Sequence, residues 1–288
     1  MSDKLKNFLV RTASGAVLLA IVVGASLSIY SYALLLFAIM FIGLIEFYKM
    51  ARHNGSKPQL VTGLTAGIIL FACVMLPFLV SHGSGVAEYD NLLLICIRLL
   101  VVSVPLSLVI ELFKFSETPM RNIATTLLGV LYVALPLSIM LFIPSLIWIG
   151  EWKPLCFLFY LFIVWANDVF AYLVGITMGK HRLCERISPK KSWEGFFGGI
   201  AGAVAVGALG AYILDSSYTL WMGLALVVAI TGVLGDLVES MFKREAGVKD
   251  SGNIMPGHGG MLDRFDALLV SAPFALMYLI CWQIIVNY

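Results

Sequence analysis

The feature that most constrains this chain is a succession of long apolar segments with few charges inside them, of which the uncharged "TTLLGVLYVALPLSIMLFIPSL" is one. Crossing a bilayer core about 30 Å thick takes roughly 20 apolar residues of helix. The sequence offers about nine such segments, near residues 12–29, 30–48, 60–81, 91–112, 122–147, 154–176, 196–214, 218–240 and 262–285. The expected fold is therefore all-α, a polytopic integral membrane protein. Composition agrees: 60% of the 288 residues are hydrophobic and the mean hydropathy is +0.96, outside the range of a soluble globular domain.

The placement of Lys and Arg tests this count, because these residues concentrate in cytoplasmic loops. With the N-terminus inside, alternate connections carry 17 of the 19 basic residues, leaving Lys153 outside and Arg98 within a span. Adding or removing one helix would put the later basic loops on the wrong side, so nine spans with N inside and C outside are expected. The first apolar segment follows a basic start without a clear small-residue cleavage site, and reads as a retained anchor. Five cysteines at 73, 96, 156, 184 and 281 form no Cys-x-x-Cys pair, which argues against a disulfide framework or a zinc site.

Outer connections such as "DSSYT" are short or bland, whereas two inner loops, 177–195 and 241–261, hold most of the polar chemistry. Both lie in the C-terminal half. Residues 1–150 are thus expected to be scaffold helices, about five spans, and 151–288 a catalytic region of about four spans with two cytoplasmic loops. An ionisable side chain inside a bilayer is costly unless it faces a polar cavity or a partner, which singles out Asp168, Asp236 and Glu239.

Asp236, Glu239, Ser240 and Lys243 recur at i, i+3, i+4 and i+7, one stripe of a helix. The bland alternative is an interfacial helix end whose Lys243 and Arg244 snorkel to headgroups. Asp236 resists it, because "TGVLGDLVES" leaves that acid one turn inside the apolar run. Asp263 and Asp266 share a face where the last span begins, where they could simply cap the helix and complement its dipole. Immediately upstream, "PGHGG" can bring backbone N–H groups close to an anion. A phosphate cradle beside two carboxylates suggests metal-bound phosphate.

In the other loop, "MGKHRLCERISPKKSWEG", the cations could serve only to hold the loop at anionic headgroups. Pro189 nevertheless fixes the backbone between Ser188 and the pair Lys190–Lys191. Asn167, Asp168 and Tyr172 would line the inner half of the preceding helix. His258 alone reads as a loop residue with at most substrate contact. Glu46 and Glu111 are explained by local pairing, the latter one turn from Lys114.

The ordered set Ser240, Lys243, Arg244, Lys249, Asp250, Pro256, His258, Gly259, Gly260, Asp263, Arg264 and Asp266, with "GDLVES" and "ANDVFAYLVG...GKHRL...SPKKSWEG" upstream, resembles the phosphatidate cytidylyltransferases. The resemblance covers about Val164 to Asp266. It implies transfer of the cytidylyl group of CTP to phosphatidic acid, giving CDP-diacylglycerol and pyrophosphate, with Mg²⁺ required and K⁺ alongside it. It further implies a homodimer in a bacterial-type inner membrane, with the active site open to the cytoplasm and no nucleic acid as partner. On the matching motif Asp236 and Asp263 are the metal-bridging carboxylates, and Asp266 a further metal ligand. Lys243, Arg244, Lys249 and Arg264 would complete the catalytic set. Substrate contact is expected at Ser188, Lys190, Lys191, Ser240, Asp250, His258, Gly259, Gly260, Asn167 and Asp168.

The lipid phosphate already carries negative charge and needs no dedicated base. The obstacle is repulsion between two polyanions, which clustered cations and metal-holding acids relieve. The rivals are another CTP-using lipid phosphotransferase or kinase, and an ion-coupled transporter. The transporter would predict inverted repeats and acids near the midplane, whereas the polar clusters here lie toward one face.

Overall fold

The computed structural model describes residues 3–81, 89–147, 152–255, 257 and 259–286. In chain order it holds α1 (Asp3–Ser26), α2 (Ile29–His53), α3 (Leu60–Ser81), α4 (Tyr89–Lys114) and α5 (Pro119–Gly129). A π-helical turn (Val130–Ala134), α6 (Leu135–Ile139), α7 (Ile143–Ile147) and α8 (Pro154–Met178) follow. A hairpin of β1 (Arg182–Cys184) and β2 (Ser188–Ser192) precedes α9 (Trp193–Ile213), α10 (Tyr218–Glu245) and α11 (Leu262–Val286). Six described stretches are long and apolar enough to cross a membrane: Ile29–His53, Pro119–Ile139, Pro154–Met178, Trp193–Ile213, Tyr218–Glu245 and Leu262–Val286. The protein is an all-α polytopic membrane protein, with the hairpin as a local exception.

The chain forms two compact units, Met1–Leu141 with Phe242–Phe265, and Phe142–Met241 with Asp266–Tyr288. In the first, α2 buries a stripe at every fourth residue, Tyr32, Leu36, Met40, Leu44 and Tyr48, all at 0% exposure. This is the spacing of one helix face. Both ends of the stripe are tied by hydroxyls: Tyr32 Oη donates to the carbonyl of Met140 at 2.6 Å and Tyr48 Oη to that of Thr126 at 2.7 Å. A second polar tie surrounds Glu111. Its carboxylate accepts from Gln59 Nε2 and Asn122 Nδ2, each at 2.7 Å, and from Ser116 Oγ. Glu111 is therefore held by residues of neighbouring segments, not only by the nearby lysine that sequence spacing suggested.

The segment expected as one span over 122–147 is interrupted. Helix continues to Ile139 through the π-helical turn and resumes at Ile143. Two prolines account for this. Pro136 cannot donate to the carbonyl of Tyr132, and the wider turn just before it absorbs the misfit. Pro144 cannot donate to the carbonyl of Met140, the group that Tyr32 Oη takes instead.

In the second unit α8 and α9 pack closely because α9 presents Gly195, Gly199 and Gly202 as buried positions. A Cβ on Gly199 would lie 2.8 Å from the carbonyl oxygen of Asn167, and one on Gly195 2.6 Å from that of Ala171. Small residues are what allow helix backbones to approach in lipid, where no hydrophobic force drives them together. Tyr160 Oη and Ser271 Oγ, 2.9 Å apart, link α8 to α11. Gln283 Nε2 donates to the carbonyl of Leu146 at 2.7 Å.

Candidate active site

In the second unit, Asp236 and Glu239 stand one turn apart on α10 and meet Asp266 of α11. One carboxylate oxygen from each lies within 4.8 Å of the others. Gly235 makes this approach possible, since a Cβ there would fall 2.6 Å from the carbonyl oxygen of Asp266. Glu239 is fully buried, and Asp236 and Asp266 are partly so. Ser240 Oγ lies 3.5 Å from Asp236 Oδ1, the long limit of a hydrogen bond.

The loop before α9 contributes a cation to this cluster. Pro189 holds β2 extended, and Lys191 on that strand forms an ion pair with Asp236. Successive strand residues point to opposite faces, and Lys190 is accordingly exposed where its neighbour Lys191 is half-buried; Ser188 is half-buried as well. The hairpin hands directly into α9: Ser192 Oγ accepts from the Gly195 N–H at 3.2 Å as an N-cap. Glu194 accepts from the N–H groups of Lys180 and His181 and lies 2.6 Å from His181 Nδ1.

Asn167 is buried on α8, its Nδ2 3.4 Å from the carbonyl of Ala229, and its Oδ1 has no hydrogen-bond partner among the described residues. Asp168, the next residue, is exposed. Among the described residues, the grouping of acids able to hold a metal comprises Asp236, Glu239 and Asp266.

Three carboxylates at this spacing repel one another in a poorly hydrated setting, and the Lys191 ammonium offsets part of that charge. Hard oxygen donors without sulfur or imidazole suit a hard cation such as Mg²⁺ or Ca²⁺. The residues present therefore fit a metal ion. Sequence spacing placed Asp236 and Glu239 on one stripe and singled both out as intramembrane acids, but Glu239 was not assigned as a metal ligand. The signal available was its i+3 relation to Asp236.

In the first unit, Asp263 occupies the first turn of α11 and is almost completely engaged. Its Oδ1 accepts from Lys243 Nζ at 2.8 Å, and its Oδ2 from the N–H groups of Ser251 at 2.9 Å and Gly260 at 2.7 Å. The preceding loop begins at a glycine stop. Gly247 has φ +67°, Val248 N–H reaches back to the carbonyl of Lys243 at 3.0 Å, and Gly247 N–H to that of Arg244 at 3.2 Å. This is a Schellman closure of α10. Gly257 and Gly259, with φ of +76° and +84°, make the tight turn closed by Met255 N–H on the Gly259 carbonyl at 3.0 Å. Pro256 and His258 lie outside the described residues. Arg244, Lys249, Asp250 and Arg264 are exposed.

Glu46, assigned to local pairing from sequence, is instead the long-range anchor of this loop. It is buried on α2 at 5% exposure and accepts from Met261 N–H at 3.0 Å through Oε1. Through Oε2 it accepts from Leu262 N–H at 2.8 Å, with Ser251 Oγ 3.4 Å away. The N–H groups of Gly260, Met261 and Leu262 are thus committed to Asp263 and Glu46. Of the "PGHGG" turn expected to cradle phosphate, the Gly260 N–H is given to Asp263, and the two N–H groups that follow the turn go to Glu46. No sequence signal links residue 46 to residue 261, because only the packed helices bring them together.

Apolar helices that cross a bilayer, with carboxylates and lysines gathered at helix ends, define an integral membrane protein equipped to bind an ion. Residues 9–282 match the family described as the Cytidylyltransferase family, and the chain belongs to it. A Staphylococcus haemolyticus protein named phosphatidate cytidylyltransferase is 36% identical over 250 residues, 86% of this chain and 90% of that protein. Proteins of the same name from Staphylococcus aureus strain COL and Staphylococcus epidermidis strain RP62A are 49% identical over 120 and 125 residues. Those matches cover 41% and 43% of this chain. There the chain spans about half of the relative's length, 46% and 48%.

Proposed function

We propose that this protein transfers the cytidylyl group of CTP to phosphatidic acid, forming CDP-diacylglycerol and releasing pyrophosphate. The observation that carries this reading is the alignment with a phosphatidate cytidylyltransferase over most of both chains. The acid cluster supports it, since nucleotidyl transfer between polyanions needs fixed positive charge and a metal-holding set of oxygens.

Mg²⁺ at Asp236, Glu239 and Asp266, with K⁺ as a possible second ion, would supply charge neutralisation on the triphosphate and the departing pyrophosphate. The protein's own groups do the rest. An oxygen of the lipid phosphate attacks the α-phosphorus of CTP, and the bond from that phosphorus to the bridging oxygen of the β-phosphate breaks. Lys191 and Lys243, each paired with an aspartate, place ammonium charge where phosphate oxygens must be held. Asp263 is a further essential carboxylate, as the family motif implies, and Arg244, Lys249 and Arg264 add exposed positive charge. Ser188, Lys190, Ser240, Asp250, His258, Gly259, Gly260, Asn167 and Asp168 are assigned to substrate contact.

Nine spans with N inside place both polar loops on the cytoplasmic side, where CTP is available and the lipid headgroup lies at the surface. The same reading assigns residues 1–150 to scaffold and 151–288 to catalysis, in a homodimer of the inner membrane. The test is incorporation of label from CTP carrying radiolabel at the α-phosphorus into organic-extractable lipid by purified protein. Incorporation that requires both phosphatidic acid and Mg²⁺, and is abolished by EDTA, is the expected result. Folded protein that transfers no label would overturn the proposal.

A further inference from the structure

Glu46 is a buried acid outside the metal-holding cluster, engaged through both carboxylate oxygens, and it sits on a helix whose role so far is structural. Its two oxygens receive the N–H groups of Met261 and Leu262, the open donors at the start of α11. It therefore acts as an N-cap supplied by another helix, 216 residues away in sequence from Leu262. Ser251 connects this cap to Asp263: its Oγ lies 3.4 Å from Glu46 Oε2, while its N–H donates to Asp263 Oδ2 at 2.9 Å. Gly260 connects them a second time, by its N–H to Asp263 at 2.7 Å. The space is shaped for the carboxylate. A Cβ on Gly260 would lie 2.6 Å from Glu46 Oε2, and one on Gly252 2.8 Å from Glu46 Cδ.

We infer that Glu46 is a positioning residue for the reaction, fixing the 251–262 loop and through it the carboxylate of Asp263. This rests on the proposed cytidylyl transfer, in which Asp263 is essential. Glu46 itself touches no substrate. Its effect falls on kcat, because a displaced Asp263 spoils the reacting geometry, and on KM for CTP through His258, Gly259 and Gly260, which share the loop.

The experiment uses full-length protein in detergent and compares wild type with Glu46→Gln, Glu46→Asp and Tyr48→Phe. Glutamine keeps the shape but turns an NH₂ toward one of the two backbone donors. Aspartate keeps both acceptors on a shorter arm. Tyr48→Phe removes a purely structural hydrogen bond two residues along the same helix. Amide hydrogen exchange over 251–262 and the kcat and KM for CTP are measured together. Expected for Glu46→Gln are about tenfold faster exchange confined to 251–262, a kcat lower by about 10- to 100-fold and a raised KM for CTP. Glu46→Asp recovers part of both, and Tyr48→Phe leaves both as in wild type.

Unchanged exchange in Glu46→Gln would overturn the clamp. Faster exchange spread over all of α2 and α3 would make Glu46 a general stabiliser, and faster local exchange with wild-type kcat would remove its link to the reaction. Wild-type protein that transfers no cytidylyl group would sink the proposed function instead, with the exchange measurement still deciding the clamp.

Discussion

Asp236 stands beside Glu239 and Asp266 and pairs with Lys191, whereas Asp263 accepts from Lys243 and from the backbone N–H groups of Ser251 and Gly260. The two aspartates should fail differently when neutralised. Asp236→Asn relieves repulsion with Glu239 and Asp266, so thermal stability should hold or rise while turnover falls by at least about 100-fold. Asp263→Asn weakens a buried ion pair and a backbone cap together, so turnover should fall as far and stability should also drop, by about 1–3 kcal/mol. Thermal unfolding in detergent beside the label-transfer assay separates the two. Lys57 engages Asn122 through its backbone N–H, not its side chain, so Lys57→Ala should leave activity within about twofold. At this scale the sequence was a partial guide. Asp236 stood out because an acid inside an apolar run needs a reason, while Glu46 stands near a helix end and looked ordinary.

Elements explain how a few residues are brought into register. The α10 and α11 backbones meet at Gly235, and Gly235→Ala should force them apart. The expected result is a loss of about 1–3 kcal/mol of stability and a weaker Mg²⁺ dependence of any residual activity, read by titrating the metal. Tyr32→Phe would leave the Met140 carbonyl without its hydroxyl donor at the helix break, lowering stability by about 1–2 kcal/mol with little effect on turnover. Helix positions followed closely from apolar run length, and α3, α8 and α11 match the expected segments within a few residues. The hairpin before α9 was not foreseen, because three- and five-residue strands leave too short an alternation to read. The break after Ile139 was written in Pro144, yet a proline in an apolar run is also compatible with a kinked continuous span.

Across the whole molecule, the balance of lysine and arginine between loops predicts that a reporter fused after the last helix lies outside the cytoplasm and one fused after His53 lies inside. Topology reporters at these two points check the nine-span reading, and a cytoplasmic C-terminal reporter would refute it. The glycine seam between α8 and α9 carries a consequence for any survey of mutations. Replacing residues with alanine ordinarily subtracts atoms, and the most damaged positions are those that had the most to lose. Along α9 the substitution adds atoms, so sensitivity should run backwards, with the side-chain-free positions 195 and 199 tolerating change least and bulky, outward-facing Phe197 most. A protein built this way can drift freely on its lipid-facing surface while its barest residues stay locked.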